Sequence, residues 1–127
     1  MAYANLTNEA RQIDDGLDSI VIIKDLADIP GGRTLDVTGM ASGTTVIKAG
    51  HIIMKDDTSG EYEPLGLSGT GYTSTTTGKT YVGVLKKSIL FSRPLAAILT
   101  MGQVNATASP YAVTSTIKAA LPNIQFL

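Results

Sequence analysis

The apolar positions of this chain fall in short runs broken by Gly, Pro, Asp and Thr about every ten residues, a spacing that predicts strands rather than helices. The clearest pattern lies between Lys48 and Leu65. Ile52-Ile53-Met54 is an apolar run, Asp56-Asp57-Thr58-Ser59-Gly60 has turn composition, and Glu61-Tyr62-Glu63-Pro64-Leu65 alternates. Asp and Ser hydrogen-bond their own backbone in tight turns, and Gly60 can adopt the positive φ that closes a bulged hairpin. A β-hairpin is therefore predicted, with one face inward and its glutamates in water.

The same reasoning places further strands. Ser19–Lys24 is β-branched and bounded by Asp18 and Asp25, the mark of a buried strand. Pro30-Gly31-Gly32 is a turn, and Thr34–Thr38 alternates up to Gly39. After a turn at Gly43, Thr45–Lys48 is extended, with an interruption or bulge at Gly50. Residues 66–80 are Gly, Ser and Thr around one Tyr, without periodicity, and predict an exposed loop. Tyr81–Lys86 resumes as a strand. Leu95–Met101 is nearly all apolar, as a strand buried on both faces would be, and residues 102–105 could extend it. Thr114 or Ser115 can cap a short helix over Ile117–Leu121, stopped by Pro122, and Ile124–Leu127 closes the chain as a last strand. Seven to nine strands and one helix give a mainly β fold, a small β-barrel or β-sandwich-like domain with one short C-terminal helix. Residues 1–18 are polar and weakly patterned, fitting a short helix or, as read here, an extended N-terminal arm that orders on a partner. The division is thus an arm over 1–18 and a single β-rich domain over 19–127.

Composition narrows the function classes. The chain has 127 residues, enough for one domain with a real core. Its formal charge is −1 and its ten Lys and Arg residues are scattered, so no basic stripe exists for nucleic acid. The absence of cysteine removes disulfides, thiolate metal sites and cysteine nucleophiles. Residues 1–16 lack the apolar core of a signal peptide, and no apolar run approaches the ~20 residues that span a bilayer. A protein made in a cytoplasm, with no membrane partner, is expected.

The search for chemistry is as informative. His51 is the only histidine and stands beside an apolar run, where it is expected to be structural; no G-x-S-x-G elbow supplies it a nucleophile. Residues 73–80 end in Gly78-Lys79-Thr80 like a phosphate-binding loop, but Thr73 stands where that loop needs glycine, and a strand follows where it needs a helix. Asp56–Gly60 fails the calcium-loop pattern and reads as a turn. Asp14-Asp15 and Asp25/Asp28 are expected to be solvated charges. Asn5-Leu6-Thr7 and Asn105-Ala106-Thr107 match the glycosylation sequon, without consequence unless the chain is secreted. No catalytic residue, cofactor or metal ligand is assigned, and the chain is read as a non-enzyme.

Three segments together resemble the capsid decoration (auxiliary head) proteins of tailed phages, including the capsid-attached modules of head fibre proteins. Val46-Ile47-Lys48-Ala49-Gly50-His51, running through to Gly60-Glu61-Tyr62-Glu63-Pro64-Leu65, is similar to that family's entry strand–turn–G-x-Y-x-P hairpin. Tyr81-Val82-Gly83-Val84-Leu85 resembles its x-x-G-I-L strand. Ala97–Asn105, Ile117–Leu121 and Ile124–Leu127 follow its order of strand, helix and closing strand. The resemblance covers roughly residues 46–127 and is carried by order and spacing. It implies a structural virion protein on the outer capsid surface, made in the host cytoplasm, that cements the shell by binding the major capsid protein. It also implies self-association, a homotrimer or other small oligomer, and an ordered N-terminal arm. On that basis Tyr3, Asn5, Leu6, Ile13 and Leu17 are the expected capsid contacts. A tail or baseplate component, a head-fibre attachment module and a small β-barrel ligand binder remain alternatives.

Overall fold

A computed structural model describes Ala4, Leu6 and residues 18–40, 45–73 and 77–127. In chain order its elements are helix α1 (Asp18–Val21) and strands β1 (Ile22–Asp28), β2 (Arg33–Thr34), β3 (Val46–Ile47), β4 (Ile52–Asp56) and β5 (Tyr62–Pro64). Next come β6 (Leu67–Ser68), β7 (Gly71–Tyr72), β8 (Lys79–Leu85), β9 (Ile89–Leu90), β10 (Leu95–Ala96) and β11 (Ile98–Val104). Helix α2 (Ser115–Ala120) and β12 (Ile124–Phe126) complete the chain. The protein is mainly β, as its pattern predicts. Among the described residues no barrel closes, and there are two short helices rather than one. No helix among them is long and apolar enough to cross a membrane.

The centre is a six-stranded sheet ordered β1-β11-β8-β4-β5, with β12 also paired, in parallel, to β11. Its core arises from two-residue periodicity applied on both sides. Ile52, Val84 and Leu99 belong to one apolar cluster, with Val21, Ile117, Leu121 and Ile124. Their chain neighbours Ile53, Leu85 and Ile98 belong to a second, with Leu35, Ile47, Ile89 and Ala96. Successive side chains of a strand point to opposite faces, so each adjacent pair divides between the clusters. The first cluster is covered by α2 and the C-terminal segment, the second by residues of the β2–β10 and β3–β9 ribbons. The sheet is the middle of a layered, sandwich-like arrangement.

Glycine decides how closely the central strands approach. A Cβ on Gly83 would stand 2.0 Å from the carbonyl oxygen of Leu99, so β8 and β11 can meet there only around a residue without one. The β4–β5 hairpin forms as predicted. Asp56 Oδ1 accepts the amides of Thr58 (2.8 Å) and Ser59 (3.2 Å), and Gly60 has φ +75°. Helix α2 starts at Thr114, whose hydroxyl accepts the Ile117 amide at 3.4 Å. That choice between Thr114 and Ser115 is made by the structure.

Several expectations are corrected. The strand placed over Ser19–Lys24 begins at Ile22, because Asp18–Val21 makes one helical turn, and it runs on to Asp28. It is also exposed rather than buried: only Val21, just before it, is inside. Residues 66–73 are not a plain loop but the β6–β7 hairpin, whose Tyr72 packs on the core. Thr34–Thr38 pairs only over Arg33–Leu35, after which Asp36 Oδ1 accepts the Thr38 amide and turns the chain. Leu95–Met101 is two strands, in which Ala96, Ile98 and Leu99 are buried while Leu95 and Met101 are exposed. Glu63 is not simply in water: it is paired with Lys79.

Candidate contact surface

Three places on the described chain gather side chains that could do something beyond filling the core. The first surrounds the lone histidine. His51 sits just ahead of β4 and is 2% exposed. Its Nε2 donates to the Leu65 carbonyl at 2.8 Å, across the β4–β5 hairpin. The rings of Tyr72 and Tyr111 stand edge-on to it, with centroids at 5.2 and 5.7 Å. The Tyr72 hydroxyl accepts the Ile52 amide at 3.2 Å, and burial pushes that phenol well above its ordinary range. Burial likewise lowers the imidazole below its usual value, the Leu65 carbonyl opposing this only in part. Through these contacts the enclosed histidine ties the hairpin and the 105–114 loop to the sheet.

The second place is an open cleft of about 430 Å³ whose lining includes Asp36, Asp56, Glu63, Thr73 and Lys79. Burial raises the Asp36 carboxyl, but bonds from the Thr38 hydroxyl and amide outweigh it and hold the group at about 2. The Lys79 ammonium, raised by its bond to Glu63, is engaged within the cleft. The acids here are turn-forming or ion-paired. Lys79 opens strand β8 rather than a helix, so the phosphate-loop pattern has no helix N-terminus behind it.

The third is the outer edge of the central sheet. Strand β5, at one end, is short and receives the Asp36 amide on its Tyr62 carbonyl. Strand β1, at the other, runs seven residues, and nothing among the described residues pairs with its outer side. Against β11 its register reads Ile22↔Val104, Lys24↔Gln103, Asp25↔Gly102, Ala27↔Met101. Ile23 and Leu26 are therefore extra residues at two shifts of register. Both side chains face water, at 49% and 58% exposure, and Met101 beside Ala27 is 41% exposed. Bulges bend a strand and re-aim side chains, which is how apolar residues come to stand outward here. Asp25 and Asp28 both pair with the Lys86 ammonium, the latter at 2.7 Å, so they are not the purely solvated charges expected.

No family model, curated protein or solved structure matches the chain. Its surface must be read from its own geometry.

Of the expected capsid contacts, Tyr3, Asn5, Ile13 and Leu17 lie outside the described residues, as does most of the 1–18 arm. Leu6 is described and is 71% exposed. The β1 edge was missed from sequence. The pattern Ile22-Ile23-Lys24-Asp25-Leu26 shows no alternation, and that failure of period two was the available signal of a bulged edge.

Proposed function

We propose that the chain is a structural virion protein that binds the outside of a phage capsid and cements it through contacts with major capsid protein subunits. The supporting observation is where the resembling segments lie in the fold. Strands β4, β5, β8, β11 and β12 all come from residues 46–127, and they make up the whole central sheet except β1. Five of the six strands of that sheet thus come from the part of the chain that carries the resemblance.

The function is contact. Residues 1–18 form the docking arm, with Tyr3, Asn5, Leu6, Ile13 and Leu17 against the shell, where an extended segment can add to a sheet edge. Each copy covers about 800 Å² per partner, and small oligomers repeat these contacts over the lattice, so modest individual affinities sum to a large resistance to expansion. Neither nucleic acid nor membrane enters this reading.

Purified particles carrying the chain test it. Its copy number per particle is expected to follow the shell lattice, and deleting residues 2–17 is expected to abolish rebinding to stripped shells. A chain absent from mature particles would overturn the reading, and undiminished rebinding would remove the arm from it.

A further inference from the structure

We propose that the β1 edge is a self-association surface, on which two copies meet about a two-fold axis beside Leu26. The first observation is the placement of apolar side chains. Ile23 and Leu26 are the two residues of β1 without a Cα partner on β11, and both are exposed; Met101 stands beside them on β11. A bulged edge is poorly shaped for adding another strand, because its outward amides and carbonyls lose their regular spacing. The surface therefore works through side chains.

The second observation is charge, and it selects the occupant. Asp25 and Asp28 share the single ammonium of Lys86, so that cluster of two carboxylates and one cation keeps a net negative charge. Lys24, exposed on the same strand, has no ion pair among the described residues. Lys24 precedes Leu26 by two residues and Asp28 follows it by two. A two-fold axis beside Leu26 sets Leu26 against its equivalent and each Lys24 against the second copy's Asp28. The surplus negative charge of one copy then meets the Lys24 ammonium of the other, twice, while the apolar residues between them leave water. A self-complementary patch of this kind is what an isologous interface requires. The pairing deepens the self-association in the proposed function, but it needs no shell.

Charge reversal gives a selective test by sedimentation velocity over a wide concentration range. The wild-type chain is expected to show a monomer–dimer equilibrium. K24D places two aspartates opposite each other and D28K two lysines, so each variant alone is expected to associate about tenfold more weakly or worse. An equimolar mixture restores both opposite-charge pairs and is expected to recover the dimer. A wild-type chain that stays monomeric, a trimer indifferent to both reversals, or a mixture no tighter than its components would each overturn the pairing.

Because D28K disturbs the Lys86 cluster, L26C provides a second reading. The chain has no other thiol, so mild oxidation is expected to link L26C into a dimer while L95C, at a similarly exposed position off β1, stays monomeric. Equal linking of the two variants would contradict the assignment. If L26D abolishes shell binding by a chain that is monomeric throughout, the face belongs to the shell protein and the pairing is wrong. A dimer that ignores shells would instead leave the pairing and remove the proposed function.

Discussion

Acidification through the imidazole range should weaken this protein by an amount that one substitution removes. His51 is the only histidine, so any proton uptake between the carboxylate range and neutrality has a single main address. Its environment offers Tyr72, Tyr111 and the Leu65 carbonyl, and among the described residues no carboxylate bonds to it. Burial therefore lowers its pKa in the folded chain below the ordinary 6.5. The unfolded chain binds the extra proton first as pH falls. Stability is thus full above pH 6.5 and is lost below it, with a limiting slope of about 1.4 kcal/mol per pH unit for one proton. Between pH 6.5 and 5 the loss reaches at most about 2 kcal/mol. With a urea dependence of about 1–3 kcal/mol/M, the unfolding midpoint drops over that interval by at most about 2 M. His51→Gln keeps a donor for the Leu65 carbonyl but cannot titrate, so its midpoint should be nearly flat over the same range, whatever its absolute stability. Urea titrations of both proteins at closely spaced pH, followed by far-UV circular dichroism, make the comparison. Equal slopes for wild type and H51Q would refute the argument. The depressed carboxyls of Asp36 and Asp56 act in the same direction, but only as pH falls through the ordinary carboxylate value of 3.8, which leaves the histidine window clear.

Other substitutions probe separate joints of the fold. Tyr72→Phe strands the amide of fully buried Ile52 and should cost about 1–3 kcal/mol; a melting temperature unchanged from wild type would show that another acceptor serves that amide. Gly83→Ala drives a methyl into the Leu99 backbone, so its cost should lie at or above the top of the ~1–3 kcal/mol range for overpacking, measured by equilibrium unfolding; near-neutrality would mean that β8 and β11 separate easily. Thr114→Ala should cost about 1 kcal/mol and Ser115→Ala close to nothing, because the Thr114 hydroxyl holds the Ile117 amide; the reverse order in denaturation would move the cap.

How much of this was legible in the sequence depended on how local its cause was. The Asp56–Gly60 turn and the helix ended by Pro122 rest on residues close in the chain, and both were readable. The hairpin over 66–73 was not, because its signal is one tyrosine in a polar stretch, held by the amide of Ile52 twenty residues away. The ion pairs of Lys86 escaped for the same reason: Asp25 and Asp28 join it only because β1 returns to the sheet beside β11.

By itself, then, the sequence determined that the chain is mainly β, where its sharpest turns and its last helix lie, and which strand centres are apolar. Those follow from φ preferences, side-chain capping and two-residue periodicity, all short-range. Tertiary structure alone decided which apolar strand would be inside. Ser19–Lys24 and Ile98–Leu99 are comparably apolar, yet β11 lies between β1 and β8 with its core residues covered on both faces, whereas β1 takes the edge. Burial is set by what a strand's neighbours cover, and strand order is a long-range outcome that no local pattern encodes. That order is also what turns Ile23 from a core candidate into part of a surface, beside Leu26.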